Sequence, residues 1–487
     1  MNRNKIGLYS GAIVFLFSFF ISPPSSMSLL AWQTAFVIIL MAIWWITEAI
    51  PVYATGLVPL VLFPLLNILS IEDTAKSYAN PLIFLFMGGF MIALSMQKWG
   101  LHKRIALSLL SLTGTRQRNL LAGFMISSAF LSMWVTNTAT TMMMLPIGLS
   151  VLSVINANST SDFNSLKTPL VLSIAYAANI GGLSTLVGTA PNALVALYFD
   201  EIYGFSISFF DWMLIGVPTA IILLFLTWVL LTRYIYQLPN TPIQGIDELL
   251  LNEKKSQGNF TFGEGVTAFA FFSAALLWIS RPFLQKIFPT LNISDAGIAM
   301  TVSIFLFIIP AGKEKGGVLD WEWASKLPWG ILILFGGGLS LANAAVASGL
   351  SEWIGQEMSS MQTISIFIIC LIVISIVVFL TEVTSNTATI ATLLPILAAA
   401  AVAIGENPLL LCIPATMAAS CAFMLPPATP PNAIVFGSGY VSIPQMSRAG
   451  IVINLTSIFI LLIFSLALTT QVFGVVIGTV PSWVGIK

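Results

Sequence analysis

Charged residues are scarce in this sequence. Lysine, arginine, aspartate and glutamate make up 8% of its 487 residues, whereas 57% are hydrophobic. Soluble domains carry about 25% charged residues, so a chain this long and this apolar cannot cover a water-exposed surface. Several of its apolar runs approach the roughly 20 residues that cross a bilayer as a helix. The composition therefore predicts an all-α polytopic membrane protein.

Other absences narrow the function. The three cysteines, Cys370, Cys412 and Cys421, match no metal-site spacing, so helix packing is the role we expect of them. The single histidine, His102, stands in the basic stretch QKWGLHKR, which predicts a solvated loop residue. No G-x-x-x-x-G-K-[ST] motif occurs, so nothing indicates ATP as the energy source. A formal net charge of zero argues against nucleic acid as a partner.

Apolar segments fill most of the chain, and two of them differ from the rest. The segments 119–153 and 366–404 are apolar but break at a polar centre, which predicts re-entrant hairpins that enter and leave on one side. Irregular backbone is tolerated at membrane depth where it lines a cavity. The other segments predict membrane spans near 7–24, 28–49, 52–69, 81–97, 168–200, 211–233, 264–281, 295–311, 329–350, 407–440 and 450–475.

Basic residues predict the orientation. With the N-terminus in the cytoplasm and both hairpins re-entrant, fifteen of the nineteen lysines and arginines lie in cytoplasmic loops, as the positive-inside rule requires. Treating either hairpin as a full span would invert every later loop and remove this bias. The C-terminus is then outside. The polar loop from about 237 to 263 divides the chain near its middle.

The two polar centres are copies of each other. A shift of 249 positions places residues 137–140 on 386–389, both NTAT, and residues 145–147 on 394–396, both LPI. The spans related by this shift run in opposite directions through the membrane. Inverted repeats of this kind are a common plan of secondary transporters, which bind their substrate near the midplane.

A second pair of motifs follows the hairpins. GTAPNALV at 188–195 resembles ATPPNAIV at 428–435, at an offset of 240. Their prolines lack an N–H and disturb a helix, but proline suits the first position of a new helix. Each of these spans is therefore predicted to be two half-helices joined by an unwound loop.

Two hairpin tips and two unwound loops are thus expected to meet. Helix N-termini suit an anion, and exposed carbonyls with Ser, Thr and Asn oxygens suit a hard cation such as Na⁺. The spacing of Ser132, Thr136 and Asn137 brings hydroxyls beside an amide. We expect no Lys, Arg or His in the site, so a bound anion needs cations for charge compensation. The alternative is that these polar residues only join helices.

Glu382 is the only charged residue in either hairpin. An acid within the membrane is a functional candidate by default. It could carry a proton, or it could be structural and pair with helix N–H groups or a hydroxyl. We favour the structural role, because Met133 occupies the matching position of the first repeat.

The sequence also resembles a known family, the divalent anion/sodium symporters, in their di- and tricarboxylate branch. That family carries two Ser-Asn-Thr motifs, read here as residues 136–138 (TNT) and 385–387 (SNT), with WWITEAIP at 44–51 and ASCAFMLPPATPPNAIV at 419–435. The resemblance covers nearly the whole chain. It implies a homodimer in a bacterial plasma membrane, with eleven membrane helices and two hairpins per chain. It also implies a fixed scaffold and a transport part that moves like an elevator.

Residue roles follow from the same resemblance. It implies one sodium site formed by Ser132, Thr136, Asn137 and Gly188 and another formed by Thr381, Thr384, Asn386 and Ala428. It implies substrate contacts from Asn137, Thr138, Thr189, Ser385, Asn386, Thr387, Thr429 and Pro430. Thr136 and Pro427 depart from the family pattern, which has serine and an aliphatic residue there. The scaffold would comprise 1–118 and 264–350, the transport part 119–235 and 351–487, and the linker 236–263.

The function implied is Na⁺-coupled symport of C4-dicarboxylates such as succinate, malate and fumarate, without an organic cofactor. A dicarboxylate antiporter that does not need Na⁺, and a citrate or sulfate carrier, remain alternatives within the family. A passive anion channel is an alternative of another class, although a channel does not need paired cation sites. A membrane enzyme would need an acid/base pair or a nucleophile, and the site region offers only Glu382.

Overall fold

The computed structural model describes residues 3–157, 165–290, 292–312, 316–358 and 364–485. The regular elements in this part of the chain are helices. Eight of them are long and apolar enough to cross a membrane, and shorter apolar helices accompany them. The all-α membrane architecture predicted from the composition is confirmed.

The first six helices are α1 (Arg3–Phe17), α2 (Leu29–Thr47), α3 (Val52–Thr55), α4 (Val58–Leu65), α5 (Ile71–Lys76) and α6 (Pro81–Lys98). α2 begins where Ser28 Oγ accepts a hydrogen bond from the backbone of Ala31, and it ends where Glu48 adopts a left-handed conformation. α6 begins at a proline and is capped by Asn80, whose side chain accepts from the N–H of Leu82. α1 packs on α2.

The next six helices contain the first polar centre. They are α7 (Leu101–Thr113), α8 (Gln117–Ser132), α9 (Asn137–Ala157), α10 (Lys167–Gly182), α11 (Ala190–Tyr203) and α12 (Phe209–Val229), which continues as a π-helix over Leu230–Ile235. The backbone breaks between α8 and α9 and again between α10 and α11. Both breaks lie where the polar motifs predict them.

The middle of the chain holds six further helices. They are α13 (Ile246–Ser256), α14 (Phe262–Ile287), α15 (Asp295–Ile308), α16 (Trp321–Ala324), α17 (Trp329–Ala347) and α18 (Leu350–Met358). Lys313 and Lys315, which the predicted orientation places in the cytoplasm, and Lys487, which it places outside, lie outside the described residues.

The last part repeats the first polar region. Its helices are α19 (Ile366–Leu380), α20 (Asn386–Ala403), α21 (Leu409–Ala419), α22 (Pro430–Gly437), α23 (Ile443–Ile460) and α24 (Leu466–Phe473), with a π-helix over Leu461–Ser465 between the last two. The shift of 249 positions relates the first residues of α8 and α19, and it also relates those of α9 and α20. The predicted repeat is therefore present in the helix boundaries. Pro426–Ala428 form a 3₁₀ turn before α22.

The two helices that precede the unwound loops form the centre of the molecule. Every residue of α21 is buried, as is α10 from Pro169 to Gly182. α10 packs on α8, α9 and α22, while α21 packs on α19, α20 and α11. Gly181 permits the closest of these approaches, since a Cβ there would lie 2.2 Å from the carbonyl oxygen of Ala129. Small residues at such crossings allow close backbone packing.

A second group of helices packs around α6, which contacts α14 and α15. At the contact between α6 and α15, Gly88 faces the backbone of Ala299, where a Cβ would approach to 2.7 Å. α17 contacts α2, α3 and α4 of this part of the molecule, and it also contacts α11 and α20 of the other.

One prediction about the loops expected to be cytoplasmic was wrong. His102 is on α7 and is half-buried, with Nδ1 2.8 Å from the carbonyl oxygen of Met96. Burial lowers the pKa of His102 below its usual value, which keeps the ring neutral at pH 7. The loop at 237–263 contains α13, with Asp247 and Glu248 in its first turn and two lysines in its last. That arrangement of charge favours the helix dipole.

Candidate functional site

A cavity of about 500 Å³ lies between the two polar centres. Its walls include all the residues predicted to contact substrate, namely Asn137, Thr138, Thr189, Ser385, Asn386, Thr387, Thr429 and Pro430. Of the residues predicted to bind sodium, Thr136, Gly188 and Ala428 also line it, whereas Ser132, Thr381 and Thr384 are buried behind the wall. The structure therefore brings residues from both repeats into one site.

Four helices begin at the cavity wall. The first residues of α9, α20, α11 and α22 all line it, and they are Asn137, Asn386, Ala190 and Pro430. Each helix N-terminus presents unpaired N–H groups and a partial positive charge of about half an elementary charge. Within the described residues no Lys, Arg or His lines the cavity, as predicted. An anion here would be held by helix ends and neutral donors.

The break between α8 and α9 holds a cluster of oxygen atoms. Ser132 Oγ lies 2.6 Å from one amide atom of Asn137, and the same amide atom lies 3.2 Å from the carbonyl oxygens of Gly188 and Ala178. Carbonyl, hydroxyl and amide oxygens converging on one point are the ligands that a hard cation prefers. The hydroxyl of Thr136 lies apart from this cluster and accepts from the N–H of Ala139 at 3.4 Å.

Glycines make room for this cluster. A Cβ on Gly182 would lie 2.6 Å from Oδ1 of Asn137, and a Cβ on Gly188 would lie 2.5 Å from the carbonyl oxygen of Gly182. Neither distance is possible without displacing the cluster. The unwound loop after α10 therefore needs small residues at both positions.

The break between α19 and α20 repeats the arrangement. Thr381 Oγ1 lies 2.6 Å from Asn386 Oδ1 and 2.8 Å from the carbonyl oxygen of Ala419. A hydroxyl has one proton, so it can donate to only one of these two acceptors, and a cation would relieve the crowding of oxygens. Thr384 is engaged elsewhere, with Leu380 O at 2.8 Å and Thr389 Oγ1 at 2.7 Å.

Two asparagines that the sequence reasoning did not assign hold the unwound loops in shape. Asn192 Nδ2 lies within 3.3 Å of the carbonyl oxygens of Gly182, Leu183 and Thr185. Asn432 Nδ2 donates to Ala422 and Leu425, both at 3.1 Å. The signal for this role was present, because both residues occupy the PN position of the paired motifs.

Glu382 is buried in the break between α19 and α20, where it binds the loop between α21 and α22. Its Oε1 accepts from the N–H groups of Phe423 at 2.7 Å and Met424 at 2.9 Å and from Asn454 Nδ2 at 2.7 Å, while Oε2 accepts from Leu425 N at 3.0 Å. The structural role predicted pairing with helix N–H groups or a hydroxyl, whereas the N–H groups found here belong to the loop between α21 and α22. Glu382 thereby fixes the loop between α21 and α22, which carries Thr429.

Asn179 also lines the cavity and was missed. It lies on α10, fully buried, and Nδ2 donates to Thr429 Oγ1 at 3.1 Å and to Ala422 O at 3.4 Å. Its Oδ1 is 3.4 Å from Asn137 Nδ2. No sequence signal marked it, because the matching residue of the second repeat is Ala419.

Comparison with known families decides what this site belongs to. The family described as the sodium:sulfate symporter transmembrane region matches residues 3–475. The chain belongs to this family. The resemblance that the motifs indicated is therefore confirmed, and the family is one of transporters and not of enzymes.

Bacterial relatives are similar along nearly their whole length. A Staphylococcus saprophyticus protein named sodium-dependent dicarboxylate transporter SdcS is 42% identical over 478 residues, which cover 96% of this chain and 92% of the relative. A Staphylococcus aureus protein of the same name, from strain MRSA252, is 44% identical over 482 residues, with the same coverage of 96% and 92%.

Two solved structures share the fold. The Alcanivorax borkumensis YdaH transporter aligns with a TM-score of 0.58 at 14% identity, over 93% of this chain and 99% of that one. Neisseria gonorrhoeae MtrF aligns with a TM-score of 0.57 at 14% identity, over 94% and 97%. At this identity the likeness concerns the fold alone.

Proposed function

We propose that this protein is a secondary transporter that couples Na⁺ entry to uptake of C4-dicarboxylates such as succinate, malate and fumarate. The observation that carries this function is the pair of oxygen clusters, around Asn137 and Asn386, beside a cavity without cationic side chains. The relatives named sodium-dependent dicarboxylate transporters support both the ion and the substrate class.

The need for the ion follows from electrostatics. A dianion deep in a membrane protein is costly unless its charge is compensated. The cavity offers helix N-termini but no fixed positive side chain, so bound cations must supply the balance. We assign one Na⁺ to Ser132, Thr136, Asn137 and Gly188, joined by the carbonyl of Ala178, and another to Thr381, Thr384, Asn386 and Ala428. The hydroxyls of Thr136 and Thr384 would turn from their present partners to join these sites.

In the membrane we propose eleven spanning helices and two re-entrant hairpins. The hairpins are α8–α9 and α19–α20, and the spans broken at midplane are α10–α11 and α21–α22. The N-terminus faces the cytoplasm and the C-terminus the outside of a bacterial plasma membrane, as the positive-inside rule favours.

We further propose that the molecule works as an elevator and forms a homodimer. Residues 1–118 and 264–350 form the fixed scaffold, and residues 119–235 and 351–487 form the moving part, with 236–263 as linker. α10 packs on the first hairpin and on α22, and α21 packs on the second hairpin and on α11, which supports a single moving body.

The cavity wall supports an inward-facing state. Two of its exposed residues, Glu48 directly after α2 and Tyr53 on α3, lie at the cytoplasmic side in the proposed orientation. On the outer side, Glu201 of α11 accepts from Asn80 Nδ2 at 2.7 Å and Asn343 Nδ2 at 2.9 Å. These contacts join the moving part to the scaffold, so we expect them to stabilise this state.

The test is uptake of radiolabelled succinate into proteoliposomes that contain the purified protein. An inward Na⁺ gradient should drive accumulation, and choline in place of Na⁺ should abolish it. Full uptake without Na⁺, driven only by internal dicarboxylate, would show an antiporter. Uptake of labelled citrate or labelled sulfate in the same assay would show a citrate or sulfate carrier. Flux that never exceeds equilibrium would show a channel.

A further inference from the structure

We propose that Asn179 is a positioning residue that couples the first sodium site to the anion. It does so by orienting the amide of Asn137 on one side and the hydroxyl of Thr429 on the other. The inference rests on the proposed function and deepens it. Asn179 lies between a hairpin tip of the first repeat and an unwound loop of the second. Because Ala419 occupies the matching position, the connection exists only once.

The amide of Asn137 has two orientations, and each leaves a conflict. With oxygen inward, Oδ1 accepts from Ser132 and Nδ2 donates to Asn179 Oδ1, but Oδ1 then lies 3.2 Å from the carbonyl oxygens of Gly188 and Ala178. With nitrogen inward, Nδ2 lies within hydrogen-bond distance of all three of these oxygens and has two hydrogens to donate to them. Oδ1 of Asn137 then faces Oδ1 of Asn179, which is also an acceptor.

A bound sodium ion favours the oxygen-inward orientation of the Asn137 amide. When a cation sits among the oxygens of the cluster, the oxygen of Asn137 is favoured as a ligand, because the nitrogen would place donor hydrogens against the ion. Bound Na⁺ therefore turns Nδ2 of Asn137 towards Asn179 Oδ1. The orientation of Asn179 is then fixed with its own Nδ2 towards Thr429.

Asn179 in turn decides where the hydroxyl proton of Thr429 points. Thr429 Oγ1 accepts from Asn179 Nδ2 at 3.1 Å and from the backbone N–H of Asn432 at 3.3 Å. A hydroxyl oxygen has two lone pairs and one proton. Both lone pairs are occupied, so the proton of Thr429 is left to donate into the cavity that this residue lines. A substrate carboxylate placed there would accept it.

Without the cation, the direction of hydrogen-bond donation among Asn137, Asn179 and Thr429 reverses. When the nitrogen of Asn137 points inward, its Oδ1 faces Asn179. The amide of Asn179 then turns so that its Nδ2 donates to this oxygen. Asn179 Oδ1 then faces Thr429 and accepts the hydroxyl proton, which is lost to the cavity. Bound Na⁺ thus makes the hydroxyl of Thr429 available as a donor to the anion and so increases anion affinity. By linkage, bound anion increases Na⁺ affinity by the same factor.

The experiment measures the two ligands separately on purified transporter. The midpoint temperature of thermal unfolding is measured as a function of Na⁺ concentration without substrate, and K⁺ keeps the ionic strength constant. A ligand that binds the native state raises this midpoint. Asn179→Ala should raise the Na⁺ concentration for half the effect about five- to tenfold, the size expected for one lost hydrogen bond. Thr429→Ala should leave it unchanged. So should Gln117→Ala, which removes a buried amide bonded to Thr241, away from the cavity.

Succinate binding at saturating Na⁺, measured by calorimetry, gives the second readout. Asn179→Ala should weaken binding in the parent but not in a Thr429→Ala background, because the two residues act through one hydroxyl. A merely structural role would make the two losses additive. Additive losses, or a Na⁺ response within twofold of the parent for Asn179→Ala, would overturn the proposal. A parent protein without any Na⁺ response would instead overturn the proposed function.

Discussion

Replacing Glu382 with glutamine tests what the buried carboxylate does. Glu382 accepts hydrogen bonds from the N–H groups of Phe423, Met424 and Leu425 and from Asn454. Glutamine keeps one oxygen for the donors on Oε1, but its NH₂ group faces the N–H of Leu425. Hydrogen bonds to a charged acceptor contribute about 1.5–3 kcal/mol, and an unsatisfied buried donor costs about 1–3 kcal/mol. We expect a total loss of about 2–3 kcal/mol.

This loss of free energy should weaken substrate binding, because Glu382 holds the loop that carries Thr429. If the whole loss of free energy falls on the loop conformation that binds succinate, apparent succinate affinity drops by about 30- to 150-fold. Calorimetry at saturating Na⁺ measures this drop, and thermal unfolding in detergent measures the loss of stability. Glu352→Gln is the matched control, since Glu352 is exposed on α18 and should leave both values unchanged.

The result also separates a structural carboxylate from a proton carrier. A structural Glu382 leaves Na⁺-driven uptake insensitive to a proton ionophore in the parent and in Glu382→Gln alike. Two results together would refute this reasoning. The glutamine variant would bind succinate with normal affinity, and the proton ionophore would abolish uptake by the parent protein.

Four further outcomes are expected. Asn137→Ala and Asn386→Ala should each abolish succinate uptake while surface biotinylation shows normal membrane insertion, because each amide serves cation and anion. Uptake should depend sigmoidally on external Na⁺, and Thr381→Ala should raise the half-saturating Na⁺ more than the Michaelis constant for succinate. Gly182→Ala should displace the Asn137 amide and weaken apparent Na⁺ affinity at least tenfold in the same assay. Glu201→Ala should favour the outward state, seen as faster labelling of hairpin-tip cysteines from outside, whereas cysteines in α6 keep their accessibility.

The sequence by itself determined the class and the plan of this protein. Scarce charge and long apolar runs predicted a helical membrane protein, since no soluble surface could be made from them. The NTAT copies at an offset of 249 predicted two breaks, and helices begin at Asn137 and Asn386, as those copies indicate. Side-chain identity carries this information, because the polar NTAT copies and the prolines of the paired APN and PPN motifs stand where new helices begin.

Only the tertiary structure decided which atoms meet at the site. The carbonyls of Ala178 and Ala419 join the two oxygen clusters, yet alanine in a sequence gives no sign of what its backbone oxygen faces. Asn179 contacts Thr429 across 250 residues, and it has no counterpart in the repeat that could have marked it. The hydroxyls of Thr136 and Thr384, equal to their neighbours in chemistry, are turned to other partners. Such contacts depend on the path of the backbone, which is fixed by the packing of α10 on α8 and α9 and of α21 on α19 and α20.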